Sequence, residues 1–417
     1  MFNTVEAGIA WIESIRRFGD KLDLSRMELA CELLGHPERD LPVIHIAGTN
    51  GKGSTVSYLR HILLEQGYHV GTYTSPYIVR FNERITYDYN DISNDELLEY
   101  INRIYLLHEQ VKRDYDQIVT FFELITLISF LYFHDREVDY CIYEVGLGGR
   151  LDATNVVQPM ITAITSISYD HMGVLGDTLE SIAWNKLGIV KSGIPMVTAV
   201  RDETLLPLFE QITTEHGSDL VVLRPSDITT IQYDKETTFY YKNEPYKISL
   251  MGSHQVTNAS LSIEIVKQME QRGLVRVDTI NLKQGLLQAY WPGRMERFGN
   301  IILDGAHNIG GIEALHETIR LYYPDKYIKV LYTSMADKEY FDIIQVVEQF
   351  ADEIYFTSFD YPRCETAENL YEVSTHPNKH LAPDALQALA ELRPSHPDEL
   401  LLITGSLYFV SYIRKHL

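Results

Sequence analysis

A glycine-rich turn in the first half of the chain has the composition of a phosphate-binding loop. In VIHIAGTNGKGST, residues 43–55, an apolar run leads into the turn and an amphipathic run follows it. The glycines of this turn are Gly48, Gly51 and Gly53. Glycines let the backbone approach a phosphate closely, the following helix offers N–H donors, and Lys52 adds a positive charge. The usual pattern G-x-x-x-x-G-K-[ST] is not met, because Ile46 stands for its first glycine and Gly53 for its hydroxyl. The turn therefore predicts phosphate binding and leaves the magnesium-binding hydroxyl to another residue.

Acidic residues near the ends of apolar runs are the next candidates for chemistry. In YCIYEVGLGGRLDATN, a buried strand is predicted to end on Glu144, whose carboxylate would reach a magnesium ion at the carboxyl edge of a parallel sheet. For Asp152 in the same stretch, a site role and a capping role fit equally well. GLGGRL is not typical of a dinucleotide-binding turn, because its sixth position is Leu151 rather than glycine.

Further polar residues follow predicted strands or lie on predicted helices. SYDHMGVLG places His171 after a strand, where metal ligation and a structural role remain open. AWNKLGIVK contains Lys186 but lacks the Asp of the guanine-reading N-K-x-D pattern, so a GTPase is not indicated. IILDGAHN ends a strand on Asp304, which suits a ribose hydrogen bond or a helix cap. GSHQVTNAS carries His254 and Asn258 on one predicted helical face, where capping or surface exposure would explain them equally well.

These residues need a scaffold that brings strand ends together, and the hydrophobic pattern predicts one. Short runs rich in Val, Ile and Tyr alternate with longer amphipathic runs, which is typical of a parallel sheet with helical crossovers. The predicted strands of the first half are LPVIHIAG, YHVGTYTS, VDYCIYEVG, MITAITSI and IPMVTAV. Residues 229–250 alternate at period two around a polar KNEP turn and predict an attached antiparallel hairpin.

The strand-and-helix pattern restarts in the second half. The predicted strands there are NIILDG, YIKVLYTS, EIYFTS and LLITGS. The junction AYWPGRMERFGN holds a proline and two glycines, so we place a domain boundary near Met295. The sequence thus predicts an α/β protein in two parts. Residues 1–295 form a parallel-sheet N-terminal domain with the phosphate loop, and residues 296–417 form a smaller, Rossmann-like α/β C-terminal domain.

Composition narrows the classes of partner. A length of 417 residues favours two domains. The 36 basic and 58 acidic residues give a net charge of −22, which disfavours nucleic acid and anionic lipid. The three cysteines lie far apart and predict neither a disulfide framework nor a zinc site. The most apolar stretch, residues 121–133, is too short to cross a bilayer. We therefore expect a cytoplasmic monomer with small-molecule substrates.

Taken together and in order, the polar stretches resemble those of one protein family. The stretches are GTNGKGS, TSPYIVRFNERI, EVGLGGRLDATN, DHMGVLG, WNKLGIVK, GSHQVTNA, WPGRME and LDGAHN. They are similar to those of the folylpolyglutamate synthase and dihydrofolate synthase family, a branch of the Mur ligase superfamily. The resemblance covers about residues 40–410. Relatives in the wider superfamily usually spell the loop GTNGKTT and so carry the hydroxyl that is absent here.

The resemblance implies an ATP site on the loop, with Mg²⁺ beside it. The loop residues implied to bind ATP are Gly48, Thr49, Asn50, Gly51, Lys52, Gly53 and Ser54. Ser75 and Glu144 would bind one Mg²⁺, and His171 would bind a second. Ser75 would thereby replace the hydroxyl missing at position 53. Lys52 and Lys186 would both act in catalysis, and Lys186 would be carbamylated, which turns an ammonium into a carboxylate-like group.

The resemblance also assigns roles in the second half of the chain. Asn258 would contact adenine, Arg294 the phosphates across the domain junction, and Asp304 the ribose. His307 would be catalytic, near the transferred phosphoryl group or the incoming glutamate. Ser406 would lie on the glutamate side.

The folate side is implied by two stretches. Arg80 lies in TSPYIVRFNERI, which is similar to the family's mobile loop, and Asp152 lies in the segment near the pterin. One departure concerns substrate range: after YTSM the chain reads ADKEY, where many relatives have an Asp after the Lys. Because only some members of the family also make dihydrofolate, this departure leaves the addition of glutamate to dihydropteroate open.

The implied reaction fits these residue types. ATP would phosphorylate the carboxylate of tetrahydrofolate, and the α-amino group of L-glutamate would attack the resulting acyl phosphate. One alternative is a cell-wall Mur ligase acting on a UDP-sugar peptide, although such ligases usually carry another N-terminal domain and only about 40 residues precede the loop strand. A second alternative is a non-catalytic ATP-binding relative. Four residues argue against it: Lys52, Glu144, His171 and Lys186.

Overall fold

The chain folds into two compact units, and we describe each by itself. A computed structural model describes residues 1–16 and 23–417. Unit 1 consists of Met1–Asp227 and Asn258–Gln288, and unit 2 of Ile228–Thr257 and Ala289–Leu417. Both units are α/β, as expected. The observed division differs from a single boundary near Met295, because residues 228–257 group with unit 2 and its second segment starts at Ala289.

Unit 1 is built on a mainly parallel sheet. Its strands are β1 (Val43–Ala47), β2 (Val70–Tyr73), β3 (Ile85–Tyr87), β4 (Asn90–Asp91), β5 (Tyr140–Glu144), β6 (Pro159–Ile164), β7 (Met196–Thr198) and β8 (Leu220–Val222). The order across the sheet is β4-β3-β2-β5-β1-β6-β7-β8. The hairpin strands β3 and β4 run antiparallel, and the other neighbours pair in parallel. The five strands predicted from the first half of the sequence are confirmed.

Helices accompany this sheet. In chain order they are α1 (Val5–Ser14), α2 (Ser25–Leu33), α3 (Lys52–Glu65), α4 (Asn94–Tyr115), α5 (Phe121–Asp135), α6 (Met172–Leu175), α7 (Leu179–Leu187), α8 (Leu206–Glu215), α9 (Ser253–Gln271) and α10 (Thr279–Gln288), of which α9 begins in unit 2. Short 3₁₀ turns lie at Pro37–Asp40, Phe81–Arg84, Ala153–Val156 and Pro225–Asp227.

The central strands are apolar along their length because both faces are covered, as is usual for parallel sheets. Every residue of β1 and β5 is buried. One hydrophobic cluster involves α1, α2, α4 and α5, and another involves α7 and α8. The apolar stretch from residue 121 forms α5, in which residues 123–133 are buried as expected. Among the described residues, no helix is long and apolar enough to cross a membrane.

Unit 2 contains a second, smaller sheet of mainly parallel strands. The strands of unit 2, which form two sheets, are β9 (Ile228–Tyr233), β10 (Thr237–Tyr241), β11 (Glu244–Ile248), β12 (Glu296–Phe298), β13 (Ile301–Leu303), β14 (Tyr327–Tyr332), β15 (Glu353–Ser358), β16 (Lys379–Asp384) and β17 (Glu399–Thr404). Its further helices are α11 (Ile309–Tyr322), α12 (Tyr340–Val347), α13 (Ala367–Val373), α14 (Ala385–Glu391) and α15 (Leu407–Arg414). The larger sheet of this unit has the order β12-β13-β17-β14-β15-β16, with β12 antiparallel.

The predicted hairpin is present within a three-stranded antiparallel sheet of order β11-β10-β9. Its turn between β10 and β11 has positive φ at Lys242 and Asn243, 48° and 65°, which is the geometry of a type I′ turn. A hydrogen bond between the hydroxyls of Thr237 and Tyr322 ties β10 to α11. The small sheet belongs to unit 2, although it precedes the predicted boundary.

Candidate active site

The phosphate loop lies between β1 and α3, and glycines are required at two of its positions. Gly48 and Gly51 have φ of 147° and 89°, in the region that favours glycine. A Cβ on Gly48 would lie 1.9 Å from the Thr165 hydroxyl oxygen, and a Cβ on Gly51 would lie 2.5 Å from Oδ1 of Asn258. The structure therefore places Asn258, predicted to contact adenine, against the loop itself.

Hydroxyl residues after β6 hold the loop in place. The Thr165 hydroxyl donates to the carbonyl of Asn50 at 2.6 Å, and the Ser166 hydroxyl contacts the same carbonyl at 3.0 Å. The Thr49 hydroxyl accepts from the backbone N–H of Ser168 at 3.1 Å. Sequence reasoning missed these residues. The available signal was the run TSIS at the end of an apolar strand.

Glu144, Lys52 and Ser75 meet at the carboxyl edge of the sheet. The register of β1 and β5 pairs Ile46 with Glu144, so the loop and the carboxylate emerge from the same edge. Oε2 of Glu144 accepts the backbone N–H of Ser75 at 3.1 Å, and Oε1 lies 4.0 Å from Nζ of Lys52. Ser75 and Glu144 are therefore neighbours, and their binding of one Mg²⁺ stays a prediction.

The oxygen donors at this edge suit Mg²⁺, which proteins usually hold with one or two carboxylates together with substrate phosphates and waters. In the chain outside residues 17–22, no group of three or more His, Cys, Asp or Glu side chains is arranged to hold a metal ion. Glu144 is buried, and Ser75 adjoins it through its backbone N–H. The Glu144 carboxylate, with Ser75 next to it, thus offers oxygen donors of the required kind beside the phosphate loop.

Lys186 is buried and points at the same loop. Its Nζ donates to the carbonyl of Gly48 at 2.9 Å, and Nζ of Lys52 donates to that oxygen at 3.1 Å. Burial, together with the nearby charge of Lys52, lowers the pKa of Lys186 to about 7. A large fraction of Lys186 is therefore a neutral amine near neutral pH, unlike a lysine in water.

Gly149 in GLGGRL and Gly188 at the end of α7 let the loop lie close to the helix that carries Lys186. A Cβ on Gly149 would lie 2.8 Å from the carbonyl oxygen of Lys186, and a Cβ on Gly188 would lie 2.3 Å from Cβ of Arg150. The Arg150 guanidinium also stacks on the ring of Trp184, 3.5 Å from its centroid. These glycines thus allow close packing, which positions α7.

His171 lies on the turn before α6, with φ of 52° and a side chain that is 49% exposed. Its Nε2 is 3.9 Å from Oδ1 of Asp170, and its backbone N–H bonds to the same carboxylate at 2.9 Å. These contacts do not join it to Glu144, so its role toward a second Mg²⁺ stays a prediction.

Of the two folate-side residues, Asp152 has a structural role in its loop. Its carboxylate accepts the N–H of Leu147 at 2.8 Å and the Thr154 hydroxyl at 2.6 Å, and burial raises its pKa. The Thr154 oxygen in turn lies 2.8 Å from Nε2 of His45. Asp152 therefore caps the 3₁₀ turn at Ala153–Val156, which was the alternative left open by the sequence, and its folate role stays a prediction.

Arg80 lies on an exposed loop that a single carboxylate organises. Glu83 accepts the backbone N–H groups of Ile78, Val79 and Arg80 at 2.7–3.1 Å. The Arg80 guanidinium bonds to Asp91 at 2.7 Å and is 64% exposed. The loop is thus shaped by Glu83, which the sequence analysis did not single out.

The four sites predicted in unit 2 converge where β13 and β17 end. Asp304 is buried, and its carboxylate accepts the N–H groups of Met295 and Ala306, each at 2.9 Å. Nδ1 of His307 lies 2.8 Å from the carbonyl of Gly305. A Cβ on Gly305 would lie 2.6 Å from Nη1 of Arg294. Unit 2 therefore brings Asp304, His307 and Arg294 to one turn.

Ser406 belongs to the same edge of unit 2. It caps the N-terminus of α15, accepting the N–H of Tyr408 at 3.2 Å. The preceding residue, Gly405, donates its N–H to the carbonyl of Ala306 at 3.1 Å.

The electrostatics of this edge centre on Asp304. Burial raises the pKa of Asp304, and the positive charge of Arg294 counteracts part of that rise. The positions predicted for ribose, phosphate and glutamate contacts therefore lie close together within unit 2.

Comparison with known proteins defines the class. Residues 46–266 match the Mur ligase middle domain, and residues 293–407 match the Mur ligase glutamate ligase domain. The first match alone spans more than half of the chain. The protein is therefore an enzyme of the ligase class, built on the Mur ligase fold.

The relatives define the family more narrowly. The Bacillus subtilis (strain 168) protein named dihydrofolate synthase/folylpolyglutamate synthase is 40% identical over 431 residues, covering 100% of both chains. This chain belongs to the folylpolyglutamate synthase/dihydrofolate synthase family. An FPGS–AMPPCP–folate complex has a TM-score of 0.87 at 29% identity and covers 99% of each chain. E. coli FolC with DHPP and ADP has a TM-score of 0.88 at 26% identity, covering 99% of this chain and 97% of the other.

Proposed function

We propose that this enzyme adds L-glutamate to tetrahydrofolate in an ATP-dependent reaction. The observation that carries the proposal is the grouping of Lys52, Lys186 and Glu144 around the phosphate loop. Family membership and the named ligands of similar structures, a nucleotide with folate or DHPP, support the substrates. The substrates are ATP, the folate and glutamate. We propose the cytoplasm as the compartment, because the described cysteines Cys31, Cys141 and Cys364 are free thiols, which persist there.

The first step is phosphorylation of the terminal carboxylate of the folate. The loop amides and Lys52 neutralise charge on the phosphates as the γ-phosphoryl group transfers. Ser75 and Glu144 would hold Mg²⁺, with His171 serving a second ion, and Mg²⁺ when bound would offset the charge on the phosphate oxygens. Lys52 thus contributes positioning and charge.

The second step forms the amide. The neutral α-amino group of glutamate attacks the acyl carbon, inorganic phosphate leaves with the electrons of its bond to that carbon, and the nitrogen releases a proton to give the amide. Following the family resemblance, we assign Ser406 to the glutamate and Arg294, Asp304 and Asn258 to the nucleotide. His307 is assigned to the transferred phosphoryl group or the incoming glutamate. Holding amine and acyl carbon together accelerates this step because the reaction becomes effectively unimolecular.

We propose further that Lys186 is carbamylated. A carbamate forms when a neutral amine attacks CO₂ and releases a proton, and the pKa of Lys186 of about 7 leaves much of the amine neutral. The product carries a negative charge close to Gly48 and Lys52, to which Lys186 is already oriented. This change would replace repulsion between two ammonium groups with attraction.

A second activity, addition of glutamate to dihydropteroate, is favoured by the 40% identity to a protein whose name includes dihydrofolate synthase. The same ATP chemistry would serve both acceptors, since each offers a carboxylate. We therefore propose that the enzyme is bifunctional.

The experiment that tests the function is phosphate release from ATP with defined pairs of acceptor and amino acid. The pairs are tetrahydrofolate with glutamate, dihydropteroate with glutamate, and a UDP-sugar peptide with its amino acid. We expect turnover with both folate-type pairs, and only when acceptor and glutamate are both present. Turnover of the tetrahydrofolate pair alone would indicate a dedicated folylpolyglutamate synthase. Turnover of the UDP-sugar pair alone would indicate a cell-wall ligase, and no turnover with any pair would indicate a non-catalytic relative.

A further inference from the structure

The segment that carries Arg294 has an unusual backbone. Gly293 and Met295, which flank Arg294, both have positive φ, 68° and 46°. A residue with a side chain, such as Met295, rarely adopts this conformation because its Cβ approaches the backbone too closely. The segment keeps this shape only if surrounding groups hold it there.

Two buried carboxylates hold the amides on either side of Arg294. The N–H of Gly293 donates to Oε2 of Glu296 at 2.9 Å, and the N–H of Met295 donates to Oδ2 of Asp304 at 2.9 Å. The carbonyl of Gly293 accepts the N–H of Gly305 at 2.9 Å. Arg294 is therefore presented from a backbone fixed at both neighbours.

Glu296 is in turn held by the last turn of α15. Nε of Arg414 bonds to the two carboxylate oxygens at 2.9 and 3.0 Å, and its Nη2 lies 2.9 Å from Oε1. The Tyr290 hydroxyl donates to the same carboxylate. Burial acts to raise the pKa of Glu296, but the hydrogen bonds from Arg414, Tyr290 and Gly293 hold it below its usual value. Glu296 is thus an ionised, buried carboxylate with a complete set of donors.

We infer that Glu296 and Arg414 are positioning residues for Arg294. Arg414 keeps Glu296 ionised and oriented, Glu296 fixes the Gly293 amide, and the fixed backbone aims the Arg294 guanidinium along the turn at Gly305. Neither residue is required to touch a substrate. The inference rests on the proposed function, because it takes the phosphate role of Arg294 from there.

The first test replaces Arg414 and measures ATP binding as well as turnover. Arg414→Met should increase backbone amide exchange at Gly293 and weaken ATP binding in calorimetry about 10-fold, since a buried charge loses its partner. Arg414→Lys keeps the charge but lacks the planar guanidinium group with its paired N–H donors, so an intermediate loss of ATP affinity is expected. Arg393→Met, at an exposed arginine of the same unit, is the matched control and should behave as wild type.

A double variant separates positioning from stability. Glu296→Met with Arg414→Met replaces the ion pair by apolar groups, which often restores stability. Because the Gly293 amide still lacks its acceptor, we expect the thermal midpoint to recover while ATP binding stays weak. Recovery of both would show that the pair is merely structural and would overturn the inference.

The coupling to Arg294 is tested in an Arg294→Ala background. If Arg414 acts through Arg294, Arg414→Met should change ATP affinity less than about twofold there, whereas independent effects would multiply. Independent effects would overturn the inference while leaving the proposed function intact. If instead wild-type enzyme turned over no acceptor pair, the proposed function would fail, and calorimetry with ATP would still decide the role of Arg414.

Discussion

Lys52 is the side chain for which the structure separates catalysis from folding most clearly. Its Nζ bonds to the carbonyls of Gly48 and Thr49 in its own loop and lies 4.0 Å from Oε1 of Glu144. We expect Lys52→Ala to lower kcat by about 100-fold or more, because charge neutralisation dominates phosphoryl transfer. The measurements are phosphate release and a thermal midpoint, with Lys235→Ala, at an exposed lysine, as control. Near wild-type turnover would refute the loop assignment.

Glu144 and Ser75 differ in what each would give to Mg²⁺. Glu144→Gln keeps the shape and removes the charge, and Ser75→Ala removes only a neutral oxygen. We expect both variants to need more Mg²⁺ for half-maximal activity, with the greater increase for Glu144→Gln. The control is Glu203→Gln, at an exposed carboxylate. An unchanged Mg²⁺ requirement in both site variants would contradict the proposal that Ser75 replaces the hydroxyl missing at position 53.

Lys186 should confer a dependence on CO₂ that changes with pH. Its pKa of about 7 means that the reactive neutral amine increases as pH rises from about 6 to 8. We expect enzyme depleted of CO₂ to regain more activity from bicarbonate at about pH 8 than at about pH 6. Carbon-13 NMR with labelled bicarbonate should detect the carbamate, and a short-chain carboxylate should partly rescue Lys186→Ala. An unmodified lysine in fully active enzyme would remove the hypothesis.

At the scale of elements, the packing of the GLGGRL loop against α7 sets where Lys186 lies. Gly188→Ala would place a Cβ 2.3 Å from Cβ of Arg150, so the loop and the helix must separate. We expect a loss of about 1–3 kcal/mol in the free energy of unfolding, together with a lower kcat. Denaturant unfolding measures the first quantity, and Gly173→Ala, with nothing within 4 Å, is the stability control. Equal stability of the two variants would show that the contact relaxes without cost.

At the scale of the whole molecule, we expect a monomer. The net charge of −22 produces repulsion between copies, which opposes self-association at low salt. Sedimentation equilibrium should give a mass near 48.0 kDa across protein concentrations and at both low and moderate salt. A mass that rises with protein concentration would instead reveal an oligomer.

The sequence by itself determined the layout of strands and helices and the location of the phosphate loop. Apolar runs such as those of β1 and β5 predict buried parallel strands because both of their faces must be covered. The turn from Gly48 to Lys52 was predictable because its composition is local. The pairing of Ser75 with Glu144 was implied by the resemblance, and the structure places the two residues in contact.

Only the tertiary structure decided which distant groups act on one another. Residues 228–257 group with unit 2 although they precede the predicted boundary. The Thr165 hydroxyl that holds the loop at Asn50, and Lys186 on the carbonyl of Gly48, are contacts between residues more than 100 positions apart in the chain. The lowered pKa of Lys186 depends on burial, and the capping role of Asp152 depends on backbone geometry. Neither can be read from residue type, because electrostatics and hydrogen bonding depend on the surroundings that folding creates.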